Sequence, residues 1–288
     1  CHHPRWIVEA YADLLPAEEV PAALAANNEA PQPTLVLRPG LAELANLDGA
    51  TPTRFSPFGA TTDGAPAEQA AVRDGRAGVQ DEGSQLVAWA LANAEAPDGP
   101  WLDMCAGPGG KAALLAGLAR GQGTWLLASE AQEHRARLVT QSLKAYPGGA
   151  VTIAADGTRP AWGRSFAKVM VDAPCTGLGA LRRRPESRWR RHPEDVAALG
   201  GLQRDLLRQA IASTVPGGVV AYVTCSPHRA ETTEVVDLVL AEHPHVTRLH
   251  AADALPDVPD AALGDDLQLW PQRHGTDAMY LSLLRVGT

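Results

Sequence analysis

The chain has 288 residues, 45% of them hydrophobic, with 33 acidic against 25 basic side chains and a formal net charge of −8. That suffices for one large domain or two ordinary ones around a real core, and the acidic balance argues against a general nucleic-acid coat. No stretch approaches the roughly 18 continuous apolar residues of a membrane span, and the start, Cys1-His2-His3-Pro4-Arg5, carries neither a signal-peptide pattern nor an initiator methionine, so a fragment of a longer protein is one expectation.

In chain order, residues 1–75 read as a small α+β domain. Trp6 to Leu15 predicts a helix, and Pro16-Ala17-Glu18-Glu19 opens another, since proline is tolerated at a helix start. Thr34 to Arg38 predicts a strand ending at Pro39-Gly40, and Leu41 to Leu47 a helix. Residues 48–66, rich in Gly, Pro, Thr and Ala, predict loop with one short strand. Residues 76–288 read as a second, catalytic domain. A helix over Gln85 to Ala94 precedes a regular alternation: strand 101–104, helix 109–120, strand 124–129, helix 131–145, strands 150–154 and 167–171, helix 194–214, strand 218–224 and helix 230–241. Such alternation predicts a mostly parallel sheet covered by helices on both faces. Val246 to Leu249 and Met279 to Arg285 complete it as an antiparallel edge. There is no internal repeat.

Three apolar runs stop abruptly where chemistry-bearing residues begin. Trp101 to Met104 opens into Cys105-Ala106-Gly107-Pro108-Gly109-Gly110-Lys111; Val169 to Asp172 opens into Ala173-Pro174-Cys175; Val223-Thr224 opens into Cys225-Ser226-Pro227. In one parallel sheet all three loops emerge at the carboxyl edge, where open α/β sheets bind ligands. The first is a strand, glycine turn and helix start, a nucleotide-type cradle. Glu130, roughly 20 residues past the glycines, stands where an acid holds ribose hydroxyls. Asp156, at the end of the third strand, is placed to meet an adenine amino group. Each acid alone reads as a cap or a solvated charge, but the set of positions carries weight. The turn is neither Gly-x-Gly-x-x-Gly nor a Walker motif, and that combination points to S-adenosylmethionine.

Four cysteines, at 1, 105, 175 and 225, show neither metal-ligand spacing nor disulfide-framework density, so no metal and a reduced, cytoplasmic setting are expected. The residues alone leave open which of Cys175 and Cys225 is a nucleophile and whether both are buried core thiols. Leu181 to His192 holds six arginines and Trp189 directly after the Pro-Cys loop. Arg182, Arg183, Arg184, Arg188, Arg190 and Arg191 match phosphate geometry, and a tryptophan stacks on a splayed base. The run is the candidate RNA path, with Arg54, Arg73 and Arg76 extending it from the small domain. His243 and His245 read as surface residues, Trp270 and His274 as structural, and Cys1 as incidental.

Leu102 to Lys111, Val171 to Gly179 and Val223 to Ser226 resemble the RNA cytosine-C5 methyltransferases of the Fmu/Sun group, most closely its bacterial small-subunit ribosomal RNA members. Gln80-Asp81-Glu82-Gly83-Ser84 and His274-Gly275-Thr276-Asp277 are similar to that group as well. The likeness is strong over 78–288 and weak over 1–75. It implies a Rossmann-like sheet, S-adenosylmethionine as methyl donor with S-adenosylhomocysteine as product, and RNA (16S rRNA first, tRNA second) as partner of a monomeric enzyme. A non-catalytic RNA-binding assembly factor on the same fold is the alternative from another class. The resemblance also assigns roles: Cys225 as nucleophile, Cys175 in product release, Asp172 as the acid at the base, Lys111 and Arg135 beside the cofactor, and Cys105 as cofactor-site lining. DNA cytosine methyltransferases instead attack with the Pro-Cys cysteine, but their Glu-Asn-Val element is absent here. The family's ribose acid is more often aspartate, so Glu130 is a departure.

Overall fold

The computed structural model describes residues 2–287; Cys1 lies outside them. Two helices open the chain, α1 (Arg5–Ala12) and α2 (Val20–Ala26, with proline in its first turn). A four-stranded antiparallel sheet follows, built from β1 (Thr34–Leu37), β2 (Thr51–Pro52), β3 (Gly59–Thr61) and, after the short α3 (Ala70–Arg73), β4 (Ala77–Val79), in the order β2-β3-β1-β4. Leu35, Leu37, Leu47, Ala60, Ala71 and Ala77 form its own small core.

Four details of residues 1–79 depart from the sequence expectation. Leu41 to Leu47 yields only a 3-10 turn, Leu44–Asn46, and the loop beyond it holds two short strands, not one. The fourth strand of the small sheet lies past residue 75, so the sheet runs to Val79. The first two helices do not pack on that sheet: Ile7, Tyr11, Leu15 and Leu24 bury themselves against Leu178, Leu181, Trp270 and Ala278 of the region beyond residue 80. Strands of two or three residues carry no readable period, which is why these features escape a pattern reading.

After α4 (Glu82–Asn93) comes the alternation itself: β5 (Trp101–Asp103), α5 (Gly110–Gly121), β6 (Leu126–Glu130), α6 (Glu133–Leu143), β7 (Ala150–Ala154), β8 (Phe166–Asp172), a short α7 (Ser187–Arg190), α8 (Pro193–Ser213), β9 (Thr214–Thr224), α9 (Thr233–Glu242), β10 (Val246–Arg248), β11 (Ala262–Leu263), β12 (Asp266–Gln268), α10 (Pro271–His274) and β13 (Tyr280–Val286). The nine-stranded sheet has the order β11-β12-β13-β9-β8-β5-β6-β7, with β10 beside β13. The pairs β5–β6, β5–β8, β6–β7 and β8–β9 are parallel. The expected pair β10 and β13 does form, antiparallel, but β13 is not the edge: it lies between β9 and both β10 and β12, and the hairpin β11–β12 extends the sheet.

The sheet separates two cores by strict alternation. Leu102, Val169, Val171, Val220 and Tyr222 face one cluster with α8 and α9, while Trp101, Met170, Val219, Ala221 and Val223 face the other with α4 and α5. A strand's period of two sends neighbours to opposite faces, so near-continuous apolar runs mark strands covered on both sides. Each such valine contributes about 1.5–3 kcal/mol by burial. Among the described residues, no helix is long and apolar enough to cross a membrane.

Candidate active site

The chain leaves β5 toward β6 and β7 on one side and returns through β8 and β9 on the other. The strand order therefore reverses between β5 and β8, the position where open α/β sheets form a ligand crevice. A cleft of about 480 Å³ lies there, within the range of small-molecule sites. Asp103, Glu130, Asp172 and Cys225 all reach it because their strands, β5, β6, β8 and β9, run parallel and end together.

The glycine turn forms one half. Gly109 has φ 108°, a region that favours glycine, and a Cβ there would sit 2.8 Å from the Ser142 side chain and 3.0 Å from the Val139 backbone. Gly109 thus shapes the turn but does not line the cleft; Cys105, Ala106, Gly107, Pro108, Gly110 and Lys111 do. The Gly107 N–H donates to Glu130 (3.1 Å), the Gln132 N–H donates to the other carboxylate oxygen (3.1 Å), and Arg135 donates to the Gly107 carbonyl (2.8 Å). Glu130 and Arg135 therefore hold the turn's shape from outside while also lining the cleft. Asp156 lines it too, with its carboxylate accepting from the Thr158 N–H (2.9 Å) and hydroxyl (2.8 Å), which hold its pKa below the usual value. The Cys105 thiol is pushed well up by burial and then by the charges of Asp103 and Asp172, which suits lining and not nucleophilic attack.

Two cleft-wall groups, Asp103 and Gln80, lie within the motifs named above, but the sequence assigns them no role. Asp103 is fully buried; one oxygen accepts from the Cys105 N–H (3.3 Å) and the other has no protein partner. Burial first, and then the charge of Asp172, push its pKa up to about 7. Gln80 is buried with neither end of its amide bonded to protein. Buried polar atoms are ordinarily satisfied. Orphans on the wall of an acid-lined crevice beside a glycine turn fit a ligand bearing both donors and acceptors, as the amino-acid end and nucleoside of S-adenosylmethionine do.

The second half holds the reactive groups. Lys111 Nζ donates to Asp172 at 2.9 Å. Burial alone would lower Lys111, but Asp172 outweighs it and the amine stays above its ordinary range. Cys175 and Cys225 meet with their Sγ atoms 3.5 Å apart. The hydrogen bond from Cys175 lowers Cys225 against the opposing effect of burial, whereas Cys175 is raised well above the ordinary thiol value, first by that same bond and then by burial. The pair is therefore asymmetric: Cys225 is shifted toward the thiolate and Cys175 toward the thiol.

The arginine run divides. Arg183, Arg184 and Arg191 line the cleft. Trp189 is 63% exposed and Arg190 is exposed, beyond the cleft wall. Arg182 and Arg188 do not form part of an open phosphate path. Arg182 pairs with Asp81 and Asp277 and donates to the Gly275 carbonyl (2.6 Å). Arg188 is 5% exposed and donates to Asn28 (2.6 Å) and the Asn27 carbonyl (3.0 Å), docking the α2 end. The Gln80–Ser84 and His274–Asp277 segments thus meet at this loop: Asp81 accepts from the Asp277 N–H (3.1 Å), and Arg183 pairs with Asp277. Arg54, Arg73 and Arg76 stand outside the cleft wall, with Arg73 and Arg76 occupied by contacts within their own segment. His274 accepts from the Trp270 N–H (2.8 Å) and bonds the Pro259 carbonyl (2.8 Å), a structural role as expected. Among the described residues, no group of His, Cys, Asp or Glu side chains could hold a metal ion.

A mixed sheet with five parallel strands, a glycine turn, acids at successive strand ends and a crevice at the strand reversal define a Rossmann-like methyltransferase of the S-adenosylmethionine-dependent class. Residues 88–285 match the family described as "16S rRNA methyltransferase RsmB/F", and the chain belongs to that family. A Mycobacterium tuberculosis protein named as a methyltransferase is 52% identical over 98% of the chain. The "Ribosomal RNA small subunit methyltransferase B" of Pseudomonas putida is 33% identical over 98% of the chain, which covers 66% of that protein. The chain spans 63% of the Mycobacterium relative's length. Among solved structures, PH0851 superposes with a TM-score of 0.86 at 24% identity, covering 98% of this chain and 66% of that one. NSun6 from Pyrococcus horikoshii, solved with the S-adenosylmethionine analogue SFG, superposes at 0.80 and 17% identity, covering 99% and 98%. These two likenesses concern the fold.

Proposed function

We propose that the chain transfers a methyl group to C5 of a cytosine in RNA, with small-subunit ribosomal RNA as the substrate, by way of a covalent bond between Cys225 and C6 of the ring. The observation that supports it most is the Cys175–Cys225 contact of 3.5 Å beside the Lys111–Asp172 pair on the wall of one cleft. The names of the ribosomal RNA relatives favour that substrate over tRNA.

The ring's C5 is a poor nucleophile, and covalent catalysis splits one hard step into two easier ones. Cys225, as thiolate, forms the S–C6 bond, and the C5=C6 electrons move toward N3. Asp172 and Lys111 stand together to supply the hydrogen bond or proton that N3 then requires. S-adenosylmethionine, held by the glycine turn with Glu130 and Asp156 on the cleft wall, would supply an electrophilic methyl to C5, its S–CH3 bond breaking to release S-adenosylhomocysteine. Loss of the C5 proton to a base and breakage of the S–C6 bond return the Cys225 thiolate, the stage to which Cys175 is assigned. Arg183, Arg184 and Arg191 hold phosphates at the mouth, and Trp189 offers a stacking face outside it.

A binding factor on the same fold needs no thiol pair, which favours the enzyme reading. The test is transfer of labelled methyl from S-adenosylmethionine to unmodified small-subunit ribosomal RNA. Transfer is expected, with none from Cys225→Ala; wild-type chain that binds S-adenosylhomocysteine and RNA yet transfers nothing supports the binding factor instead.

A further inference from the structure

One buried carboxylate connects the two thiol loops. Glu231 is fully buried in the 3-10 turn before α9. One of its oxygens accepts from the Thr176 N–H (2.7 Å) and from Gln203 (3.3 Å); the other accepts from the Thr176 hydroxyl and the Ser226 hydroxyl (2.7 Å). Thr176 directly follows Cys175, and Ser226 directly follows Cys225. Gln203, from α8, also donates to the Pro174 carbonyl (2.9 Å), on the other side of Cys175. Ser226 in turn accepts from the His228 N–H (3.1 Å).

An ionised carboxylate is costly to bury, and it persists where a full set of donors surrounds it. Here the donors come from the residues flanking both cysteines. Apolar packing could hold two loops together, but it would not fix the residues after each cysteine on one small group. We propose that Glu231 is a positioning residue for the reaction described above: it clamps the residues following Cys175 and Cys225, and thereby sets the contact that brings the two sulfurs to 3.5 Å. The proposal rests on that reading for its catalytic meaning. Glu231 also adds negative charge near Cys175, which helps to keep that thiol protonated and therefore a donor.

The test is the rate of Cys225 alkylation by iodoacetamide, followed by peptide mass spectrometry across about pH 6 to 10, a range spanning the ordinary thiol value. Glu231→Gln is expected to move the midpoint up by about one pH unit, the worth of one hydrogen bond. Thr176→Ala, which removes one bond and leaves the carboxylate, moves it the same way by less, and stands in should Glu231→Gln fail to fold. The decisive arm repeats both in a Cys175→Ala background, where there is no thiol left to position. There the midpoint should not move, with S-adenosylhomocysteine binding reporting an intact fold. A shift of equal size without Cys175, or none with it, overturns the proposal. Coupling in this cycle from a wild-type chain that methylates no RNA would sink the functional reading and leave the clamp standing.

Discussion

At the end of β5, Asp103 carries a proton-binding oxygen with no protein partner, and its folded pKa near 7 has a consequence for stability. The ordinary value is 3.8. Between roughly pH 4 and 7 the folded chain holds a proton there that the unfolded chain has lost, so stability falls as pH rises through that window and levels above it. The total fall across the window is on the order of a few kcal/mol. Asp103→Asn keeps an acceptor for Cys105 and removes the titration, so this part of the slope should vanish in ligand-free protein unfolded by urea at a series of pH values. An unchanged slope would assign it to other carboxylates. At this scale the sequence showed the residues that end apolar runs, because an abrupt stop at a proline-flanked cysteine or an acid is visible without neighbours. Glu231 was invisible: six positions past Cys225, it looks like any acid near a helix start, and only its burial among Thr176, Gln203 and Ser226 reveals it.

Among the elements, two-sided strands and amphipathic helices were legible, while β2, β4, β11 and β12 were not, since two or three residues show no period and these, unlike β5, do not end an apolar run at a glycine turn. The arginine run is the instructive case. Composition gives its charge, but which guanidiniums face solvent depends on where α1 and α2 dock, and those helices land beside the large sheet, against Leu178, Leu181, Trp270 and Ala278. Arg188 turns inward to Asn27 and Asn28, whereas Arg190, two residues on, stays exposed. Arg188→Ala leaves the buried Asn27 carbonyl without its donor and empties the space of a buried side chain, and is expected to cost about 2–3 kcal/mol, against less than about 0.5 kcal/mol for Arg190→Ala. Denaturant unfolding of the two variants checks this; equal costs would contradict the docking role.

Across the whole molecule, an acidic chain concentrates arginine at one mouth. Arg183, Arg184 and Arg191 line the same cleft as the glycine turn and the thiol pair, and the proposed RNA contact is argued from that placement and not from the net −8. The parallel sheet was readable from strand–helix alternation, and with it the convergence of three loops on one edge. The docking of the small sheet and of the first two helices was not, because contacts between distant segments leave no mark on local pattern. The central claim is that the sulfur of Cys225, and not that of Cys175, bonds the base. The direct measurement is mass-spectrometric mapping of the cysteine that carries RNA after Cys175→Ala chain is incubated with S-adenosylmethionine and unmodified small-subunit ribosomal RNA. A covalent adduct is expected on Cys225; its absence, together with an adduct on Cys175 in the Cys225→Ala chain, would contradict the account.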